Sequence, residues 1–451
     1  MLSAEDNELL TRSGPGTPAG RLLRQFWIPV LLSEELPEPD CPPKRVKVLG
    51  EDLLAFRDTR GRVGLVEPAC PHRGANLYYG RNEHAGLRCV FHGWKFDVDG
   101  RCVDMPTMPA DSPYRERIRL KSYPTREWGD CIWAYLGPAA EPPPLPRLAF
   151  ALVPPSHRYV SKKWQDCNWL QCLEGALDTT HFSFLHMLLG TEEADTAEAV
   201  MERIKHAALG TQAVRNDRFK WVRDDPMPAF SVDEFPAGLV VGGARKADGD
   251  DLYWRIAHYL LPNHALAPSA FPGENYHGQT FVPVTDTSCW IYTYTWNPDR
   301  PLTEEEREMA RQGHTIHSQV DENYMPYRNI RNDYLIDRED QKYNSFTGIR
   351  GVSEQDAAIQ DSQGPIADRT REHLGPTDLG IVRMRRLLLA LIRDEMAGKT
   401  PAALGRPRDY AVLSGGWVAH KSKTLGEVMT ERFGNPQGYI EEKASAVREH
   451  D

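Results

Sequence analysis

The sequence predicts an α+β protein of two domains, a small all-β domain followed by a larger domain of mixed composition. Three observations support this prediction. The chain has 451 residues, more than a single hydrophobic core usually holds. Short β-type runs separated by Gly, Pro and Asp extend to residues 132–136, where the proline-rich stretch 137–147 (GPAAEPPPLPR) begins. Beyond that stretch, helical patterns alternate with long runs of aromatic and β-branched residues.

The strand signals can be followed in order along the chain. Residues 45–57 (RVKVLGEDLLAFR) predict a hairpin around Gly50. The stretch 137–147 predicts a stiff connector, because proline can neither join the centre of a sheet nor continue a helix. In the second domain, three further runs are typical of strands: 237–243, 252–261 and 288–296. The fold expected for this larger α+β domain is an antiparallel sheet covered by helices.

The helix signals lie mainly in the second domain. Residues 168–186 predict a helix for most of their length. Thr303 opens a capping-box signature for the helix TEEEREMARQ. A longer amphipathic helix is expected to begin after Thr377 or Asp378 and to end at Gly398.

Composition excludes several classes of protein. The formal net charge of −10 argues against nucleic acid or an anionic membrane as the main partner. The acidic N-terminal sequence MLSAEDNELL is not expected to be a secretory signal, and the longest apolar run is too short to span a bilayer. Eight scattered cysteines predict reduced thiols and a cytoplasmic location. Glycine-rich loops for a dinucleotide or ATP are not found in the sequence.

The first metal-binding pattern combines C-x-H with C-x-x-H. It consists of Cys70 and His72, followed by Cys89 and His92. Two cysteines and two histidines suit either structural zinc or a [2Fe–2S] cluster in which the histidines hold one of the two irons. Zinc loops usually begin with two cysteines, whereas here each loop mixes a thiolate with an imidazole. The spacing therefore favours the iron–sulfur cluster.

The second pattern is D-x-x-H-x-x-x-x-H, formed by Asp178, His181 and His186. On a regular helix, histidines five residues apart are separated by about 140°. They can bind one metal only if the helix ends or bulges between them. Two imidazoles and one carboxylate form the facial triad of non-haem Fe(II) oxygenases. Segment 353–366 offers three candidates for the carboxylate: Glu354, Asp356 and Asp361.

Both patterns resemble motifs of one enzyme family. C-P-H-R-G-A with C-x-F-H-G-W resembles the Rieske cluster motif, and the second pattern resembles the catalytic motif of Rieske oxygenase alpha subunits. The whole chain is similar to the phthalate dioxygenase type, from EDNELLTR-x-GPGTP near the start to QDSQGPIADR and the following GPTD. The resemblance implies an N-terminal helical segment (1–26), a Rieske [2Fe–2S] domain (27–140) and a catalytic domain with mononuclear iron (141–451).

The resemblance also implies roles for individual residues. The cluster would be held by Cys70, His72, Cys89 and His92, and the mononuclear iron by His181, His186 and Asp356, with Asp361 as the alternative. Asp178 would be catalytic, joining His181 to a cluster histidine of the neighbouring chain, although it could also be an ordinary internal hydrogen-bonding residue. Asn168 and Glu174 precede the motif as further catalytic candidates, and each could instead satisfy a backbone group.

The implied function is that of the oxygenase component of a two-component enzyme. Such a component uses O2 and electrons from a flavin and iron–sulfur reductase, itself dependent on NADH or NADPH. It hydroxylates, cis-dihydroxylates or demethylates an aromatic compound, often a carboxylate, in aromatic hydrocarbon catabolism. The chains would assemble as trimers or stacked trimers, without nucleic acid or membrane. The alternatives are a Rieske-type electron-transfer protein with a non-catalytic second domain, and a zinc-stabilised scaffold.

A substrate carboxylate would require an Arg or Lys partner. Arg203, Arg245 and Lys246 lie in the expected region of the sequence, although each could equally be a solvated surface charge. Residues 191–208 are expected to form a variable insert near the entrance of the active site.

Overall fold

A computed structural model describes residues 1–109, 112–189 and 218–434 of the chain. The chain forms two units, one of residues 13–145 and one that joins residues 1–12 to the chain from 146 onward. The division after Leu145 falls inside the proline-rich stretch, which contains no helix or strand. The N-terminal segment 1–26 holds two short helices, and the division between the units passes between them.

The α-helices of the described residues are short, apart from one of 18 residues. They are α1 (Ala4–Thr11), α2 (Pro18–Arg24), α3 (Tyr114–Arg117), α4 (Ala149–Leu152), α5 (Trp169–Leu177), α6 (Arg218–Asp224), α7 (Glu304–Arg311), α8 (Arg338–Tyr343), α9 (Val352–Ser362), α10 (Leu379–Met396) and α11 (Leu425–Phe433).

The unit of residues 13–145 is built from three small antiparallel sheets, with strand orders β1-β11-β10, β2-β3-β4-β9 and β5-β6-β7-β8. Their strands are β1 (Trp27–Leu32), β2 (Lys44–Val48), β3 (Glu51–Arg57), β4 (Val63–Val66), β5 (Arg81–Glu83), β6 (Gly86–Arg88), β7 (Lys95–Phe96), β8 (Cys102–Asp104), β9 (Ser122–Tyr123), β10 (Thr125–Trp128) and β11 (Cys131–Tyr135). The predicted hairpin is formed by β2 and β3, which Leu49 and Gly50 connect in the left-handed conformation.

The other unit contains one antiparallel sheet of eight strands, in the order β12-β18-β17-β16-β15-β14-β13, with β19 paired to β15. These strands are β12 (Arg158–Gln165), β13 (Ala229–Phe235), β14 (Gly238–Lys246), β15 (Asp251–Leu260), β16 (His264–Leu266), β17 (Tyr276–Thr285), β18 (Ser288–Trp296) and β19 (Gly415–His420). Helix α5 packs on the central strands β15 to β18 and on α9, α10 and α1. The predicted fold class, α+β with an antiparallel sheet and helices, is confirmed.

Two helix predictions differ in detail from the structure. Helix α5 ends at Leu177, so the helix is much shorter than residues 168–186 and stops before both histidines. Helix α10 begins after Asp378 as expected, but the carboxylate of Asp378 accepts a hydrogen bond from the Gly375 amide rather than from the helix. The predicted capping box at Thr303 is present.

Two further expectations concern the whole chain. All eight cysteines lie in the described residues, are buried and form no disulfide. None of the helices in the described parts of the chain is long and apolar enough to cross a membrane.

Candidate metal centres and active site

The four candidate cluster ligands lie on two matching loops of the smaller unit, Cys70 and His72 on one and Cys89 and His92 on the other. In each loop a glycine amide donates a hydrogen bond to the carbonyl oxygen of the cysteine four residues earlier. The distances are 2.8 Å from Gly74 to Cys70 and 2.9 Å from Gly93 to Cys89. Both glycines have φ near +75°, a conformation that other residues rarely adopt. The glycines therefore fix the turns that carry the ligands.

The chemistry of these loops fits an iron–sulfur cluster. The Nδ1 atoms of His72 and His92 are buried and have no hydrogen-bond partner among the described residues. The two rings lie 4.3 Å apart between centroids. Burial raises the pKa of the Cys70 thiol to about 11, so a thiolate at this position requires a cation beside it. A cluster iron would supply that cation, and the two Nδ1 atoms would bind the other iron.

Across the described residues, one group of three metal-binding side chains brings its ligand atoms within 4.8 Å of one another, and it does not include these cysteines and histidines.

The group within 4.8 Å is His181, His186 and Asp356. The two histidines follow the end of α5, His181 in a 3-10 turn and His186 just beyond it. Asp356 lies in α9, far along the chain. The early end of α5 removes the 140° separation that a continuous helix would impose, because the turn folds the second histidine back towards the first.

The distances within this triad suit three ligands of one metal ion. The Nε2 atoms of His181 and His186 are 3.1 Å apart, and Oδ1 of Asp356 lies 3.5 Å from the first and 3.2 Å from the second. Two imidazoles and one carboxylate are the ligand set of non-haem iron(II) oxygenases, so these three side chains could hold such an iron.

Each histidine has a side chain behind it that orients the ring. The Nδ1–H of His186 donates to Oε1 of Gln355 at 2.6 Å, and Gln355 in turn donates to the carbonyl oxygen of Ile349. The Nδ1 atom of His181 lies 3.7 Å from a carboxylate oxygen of Asp178. The hydrogen bond to Gln355 directs Nε2 of His186 towards the metal position, and Asp178 places a carboxylate near the opposite nitrogen of His181.

The carboxylates around the triad are ionised. Burial raises the pKa of Asp356, but the neighbouring His186 and His181 outweigh burial and hold it below its ordinary value. The pKa of Asp178 is lowered in the same way, because hydrogen bonding and charge at His181 outweigh burial. Asp356 is therefore available as an anionic ligand.

The two other acidic candidates for the iron ligand lie elsewhere. Asp361 is buried beside Tyr334, whose hydroxyl donates to its carboxylate, and burial raises its pKa. Glu354 is also buried with a raised pKa, and neither residue belongs to the triad. Of the alternatives that the sequence left open, the geometry brings Asp356 to the histidines.

Asn168 and Glu174 have structural surroundings rather than catalytic ones. Asn168 caps α5: its Oδ1 accepts from the Leu170 amide, and its amide donates to two carbonyl oxygens. Glu174 accepts hydrogen bonds from Arg369 and Arg385, and all three side chains are buried. Neither residue lines the cavity at the triad, so their placement does not support the predicted catalytic roles.

A cavity of about 130 Å³ opens beside the triad. Its wall combines apolar and polar side chains from the sheet and the loops, among them Phe182, Arg255, Ala265, His277, Gln279 and Ile316. This is the space in which a substrate would meet the iron.

The predicted carboxylate partners do not lie in this wall. Arg203 lies outside the described residues. Arg245 is fully buried, and its guanidinium donates to Oγ1 and the carbonyl oxygen of Thr179, so it supports the turn before His181. Burial and the nearby charge of Arg255 lower the pKa of Arg245 to about 10. Lys246 is exposed.

Sequence reasoning missed Arg255 and Gln355. Arg255 follows Tyr253 and Trp254 in the strand run 252–261, and nothing in that pattern distinguishes it from an outward-facing charge. Gln355 directly precedes Asp356, so its position beside a proposed ligand was the one available signal.

Comparison with known proteins identifies the family. Residues 26–124 match the Rieske [2Fe-2S] domain, and residues 134–414 match the LigXa C-terminal domain like family. The chain is 39% identical to the phthalate 4,5-dioxygenase oxygenase subunit of Pseudomonas putida, over 90% of this chain and 89% of that protein. It is 36% identical to the 3-chlorobenzoate-3,4-dioxygenase oxygenase subunit of Comamonas testosteroni, over 92% of this chain and 95% of that protein.

Solved structures share the fold. Dicamba monooxygenase bound to dicamba gives a TM-score of 0.55 at 17% identity, covering 83% of this chain and 99% of that chain. The oxygenase in a ferredoxin complex of carbazole 1,9a-dioxygenase gives a TM-score of 0.54 at 18% identity, covering 88% of this chain and 98% of that chain. With two matched metal-site patterns and relatives similar over most of its length, the chain belongs to the Rieske non-haem iron oxygenases, as an alpha subunit of the phthalate dioxygenase type with a [2Fe–2S] cluster and a mononuclear iron.

Proposed function

We propose that this enzyme hydroxylates or demethylates an aromatic compound that bears a carboxylate, and that Arg255 binds that carboxylate. Two of its relatives are named for phthalate and 3-chlorobenzoate, both aromatic carboxylates. The observation that carries the proposal for this chain is the placement of a buried arginine in the wall of the cavity.

Arg255 is 6% exposed and is the one Arg or Lys among the described residues that line this cavity. It lies on β15 directly opposite Gly243 of β14 and Gly416 of β19. Its charge lies 4.3 Å from the centre of the Phe182 ring, and its Nε has no hydrogen-bond partner in the described structure.

A buried cation without an acidic partner is costly, because burial removes water that would otherwise stabilise the charge. No acidic side chain of the described residues forms an ion pair with Arg255. A substrate carboxylate would supply that partner, and the planar guanidinium suits two parallel hydrogen bonds to it. Phe182, which Arg255 covers, would pack against the aromatic ring.

In this proposal, separate groups of residues hold the two metal centres and the substrate. Cys70, His72, Cys89 and His92 would hold the cluster, and His181, His186 and Asp356 the mononuclear iron. Together these metals supply electron relay and O2 activation when they are bound. The cavity wall would orient the ring and limit the access of water. A chain that only carried electrons would not need the triad.

The electrons would come from a separate reductase that contains flavin and iron–sulfur groups and oxidises NADH or NADPH. Both relatives are named as oxygenase subunits, and the carbazole oxygenase was solved with a ferredoxin, which supports a separate donor protein. The eight buried cysteines form no disulfide, which supports a reducing compartment, the cytoplasm.

We also propose a ring of three chains, alone or stacked in pairs, in which Asp178 joins His181 to His72 or His92 of the next chain. Asp178 is partly exposed, so a neighbouring chain can reach it. Val90 and Phe91, in the loop that carries His92, are 60% and 54% exposed, as expected for an interface. A head-to-tail contact of this kind closes into a ring.

The first experiment is a metal assay with spectroscopy on the purified chain. We expect about three irons for every two sulfides, no stoichiometric zinc and a Rieske-type EPR signal after reduction. Adding a reductase, NADH and phthalate or 3-chlorobenzoate should give substrate-dependent O2 uptake and an oxidised aromatic product. A colourless zinc protein would contradict the whole proposal.

The role of Arg255 is tested by Arg255→Gln, with Lys246→Gln as the control. Lys246 is an exposed cation on the neighbouring strand β14, so the control removes the same charge from the surface. Loss of one partner of a buried charged pair should raise KM for the aromatic acid by about two to three orders of magnitude. Binding of a neutral aromatic of similar size should not weaken. Equal effects of the two variants would reject Arg255 as the carboxylate partner.

A further inference from the structure

A further cleft, of about 230 Å³, shares no residue with the cavity at the iron triad. Every described residue that lines it is basic or uncharged: Gln312, Gly313, His314, Gln319, Arg328 and Arg350. The chain as a whole carries a formal net charge of −10, so three basic side chains without an acidic one in the described lining make this cleft a local exception. Such a concentration of positive charge attracts anions.

The two arginines of this cleft have no partner in the described parts of the chain. The guanidinium groups of Arg328 and Arg350 form no ion pair and no hydrogen bond there, although Arg328 is partly buried. Glu354 feels the charge of Arg328, but it is buried, forms no ion pair with it and does not line the cleft. Both guanidinium groups therefore keep their donors for a ligand.

The third basic side chain, His314, lies within reach of both charges. Burial and the charges of Arg350 and Arg328 lower the pKa of His314 below its ordinary value. The three side chains thus repel one another when the imidazole is protonated. A bound anion would replace this repulsion with attraction.

Two glycines fix the backbone on either side of the cleft. Gly313 and Gly351 have φ of +73° and +95°, a region that favours glycine. A side chain at Gly351 would come within 3.2 Å of the Gly313 carbonyl oxygen, and one at Gly313 within 2.9 Å of the Gln319 amide nitrogen. His314 and Arg350 directly adjoin these glycines, so close backbone packing holds the two basic residues in place.

The same two segments also line the active-site cavity. Ile316 lies two residues beyond His314, and Val352 and Ser353 follow shortly after Arg350; all three belong to the cavity wall. Val352 is also the first residue of α9, the helix that carries Asp356. An anion held between His314 and Arg350 would therefore join two segments that meet again at the iron site.

We propose that this cleft binds a compact oxyanion of the phosphate class between Arg328, Arg350 and His314, and that the bound anion stabilises the start of α9. Each planar guanidinium can donate two parallel hydrogen bonds, and the oxygens of phosphate can accept from both arginines at once. The inference does not depend on the identity of the aromatic substrate, because the cleft and the cavity have no residue in common.

The first test is calorimetry with inorganic phosphate on the enzyme loaded with both metals, at constant ionic strength in chloride. Arg350→Gln should weaken phosphate binding by about 10- to 100-fold, the effect of hydrogen bonds to a charged group. The control is Arg386→Gln, which removes an exposed arginine of α10 outside the cleft and should bind phosphate like the wild type. Equal affinity of the wild type and Arg350→Gln would overturn the proposal.

Thermal unfolding distinguishes an anion site from a structural role of Arg350. In chloride alone, Arg350→Gln should have a Tm at least as high as the wild type, because it relieves the repulsion with Arg328 and His314. Added phosphate should raise the Tm of the wild type and of Arg386→Gln, but that of Arg350→Gln much less. A lower Tm of Arg350→Gln in chloride, with an equal phosphate shift in all three proteins, would reject the site.

The link to α9 is tested by the release of mononuclear iron to a chelator. With phosphate at about ten times its Kd, release from the wild type should slow by up to about tenfold. Any direct effect of phosphate on the iron is the same in Arg350→Gln, so the comparison isolates the cleft. Equal phosphate effects on release from the two proteins would show that the anion does not stabilise α9.

Benzoate distinguishes the phosphate class from a carboxylate. Benzoate bound in the active-site cavity should be weakened by Arg255→Gln and not by Arg350→Gln. Benzoate binding that is lost in Arg350→Gln, with no phosphate binding to the wild type, would overturn the assignment to phosphate. Failure of aromatic acids to support O2 uptake would contradict the proposed function and leave the phosphate results unchanged.

Discussion

Gln355 and Asp356 are adjacent in α9, yet both reach His186: the first accepts a hydrogen bond from Nδ1 at 2.6 Å, and the second lies 3.2 Å from Nε2. One turn of helix thus contacts both nitrogens of a single imidazole. Because Gln355 is held in turn by the Ile349 carbonyl oxygen, the ring orientation is fixed by the helix that also supplies the carboxylate.

Replacing Gln355 with Leu should weaken iron binding. The change leaves Nδ1 of His186 without its acceptor while keeping a side chain of similar size. We expect about a 10- to 100-fold loss of affinity for the mononuclear iron, with the cluster unaffected. The measurement is an iron titration of protein depleted of mononuclear iron. Gln355→Glu retains an acceptor and should lose less, so equal losses in both variants would contradict the role assigned to this hydrogen bond.

Asp356→Ala should remove the mononuclear iron, because it deletes the one anionic ligand of the triad. Iron should fall from about three to about two per two sulfides, and O2 uptake should cease. The control is Asp361→Asn, a nearly isosteric change in the same helix at a residue outside the triad. We expect this control to keep all three irons. Iron loss in Asp361→Asn but not in Asp356→Ala would show that Asp361, rather than Asp356, is the iron ligand.

Asp178→Asn should reduce turnover without removing the mononuclear iron. The triad would remain, since Asp178 lies behind His181 rather than at the metal position. We expect both metal centres to be retained and steady-state activity to fall by about 100-fold or more. Stopped-flow spectroscopy should locate the defect in reoxidation of the reduced cluster with substrate and O2 present. Reoxidation at the wild-type rate would show that Asp178 is not on the electron path.

Glu174→Gln should destabilise the fold without removing a catalytic group. Breaking a buried ion pair by removal of one partner costs about 3–5 kcal/mol, because Arg369 then remains buried with an uncompensated charge, whereas Arg385 keeps its second partner, Glu372. Thermal unfolding at pH 7 should show a lower Tm. An unchanged Tm would mean that water stabilises the buried arginine charge in place of the Glu174 carboxylate.

The ion pairs of Glu174 with Arg369 and Arg385 also make the stability of the fold depend on pH. Burial alone would raise the pKa of Glu174, but the charges of Arg369 and Arg385 outweigh it, and the pKa lies below its ordinary value near 4.5. A depressed carboxyl pKa contributes stability that is fully present above the unfolded pKa and is lost as pH falls through the folded pKa. The Tm difference between the wild type and Glu174→Gln should therefore narrow below about pH 4.5. A difference that stays constant into acid would contradict this linkage.

The sequence was sufficient to predict the features whose residues lie close together in the chain. The loops at Cys70 and Cys89 could be predicted because glycines and ligands recur at fixed spacing. The strands could be predicted from their aromatic and β-branched runs, since side chains of this kind fit a buried sheet. The hairpin around Gly50 followed from turn chemistry.

The parts that depend on tertiary contacts could not be predicted. Spacing alone could not choose between Asp356 and Asp361, because both lie in α9 and only the packing of that helix decides which one reaches the histidines. Asn168 and Glu174 stood in a catalytic motif but have structural partners that are remote in sequence, such as Arg369. Arg255 became a candidate only when the neighbouring strands and the cavity were known.

The two metal centres differ in how much of the chain must exist before each can form. The cluster ligands span residues 70 to 92, whereas the iron triad joins residues 181 and 186 to residue 356. During synthesis the N-terminal part of a chain emerges and folds first, and metal binding is coupled to folding. The order of maturation follows from the positions of the ligands: the cluster site is complete while much of the eight-stranded sheet is still unmade, and iron can be held by all three ligands only after α9 has emerged and packed.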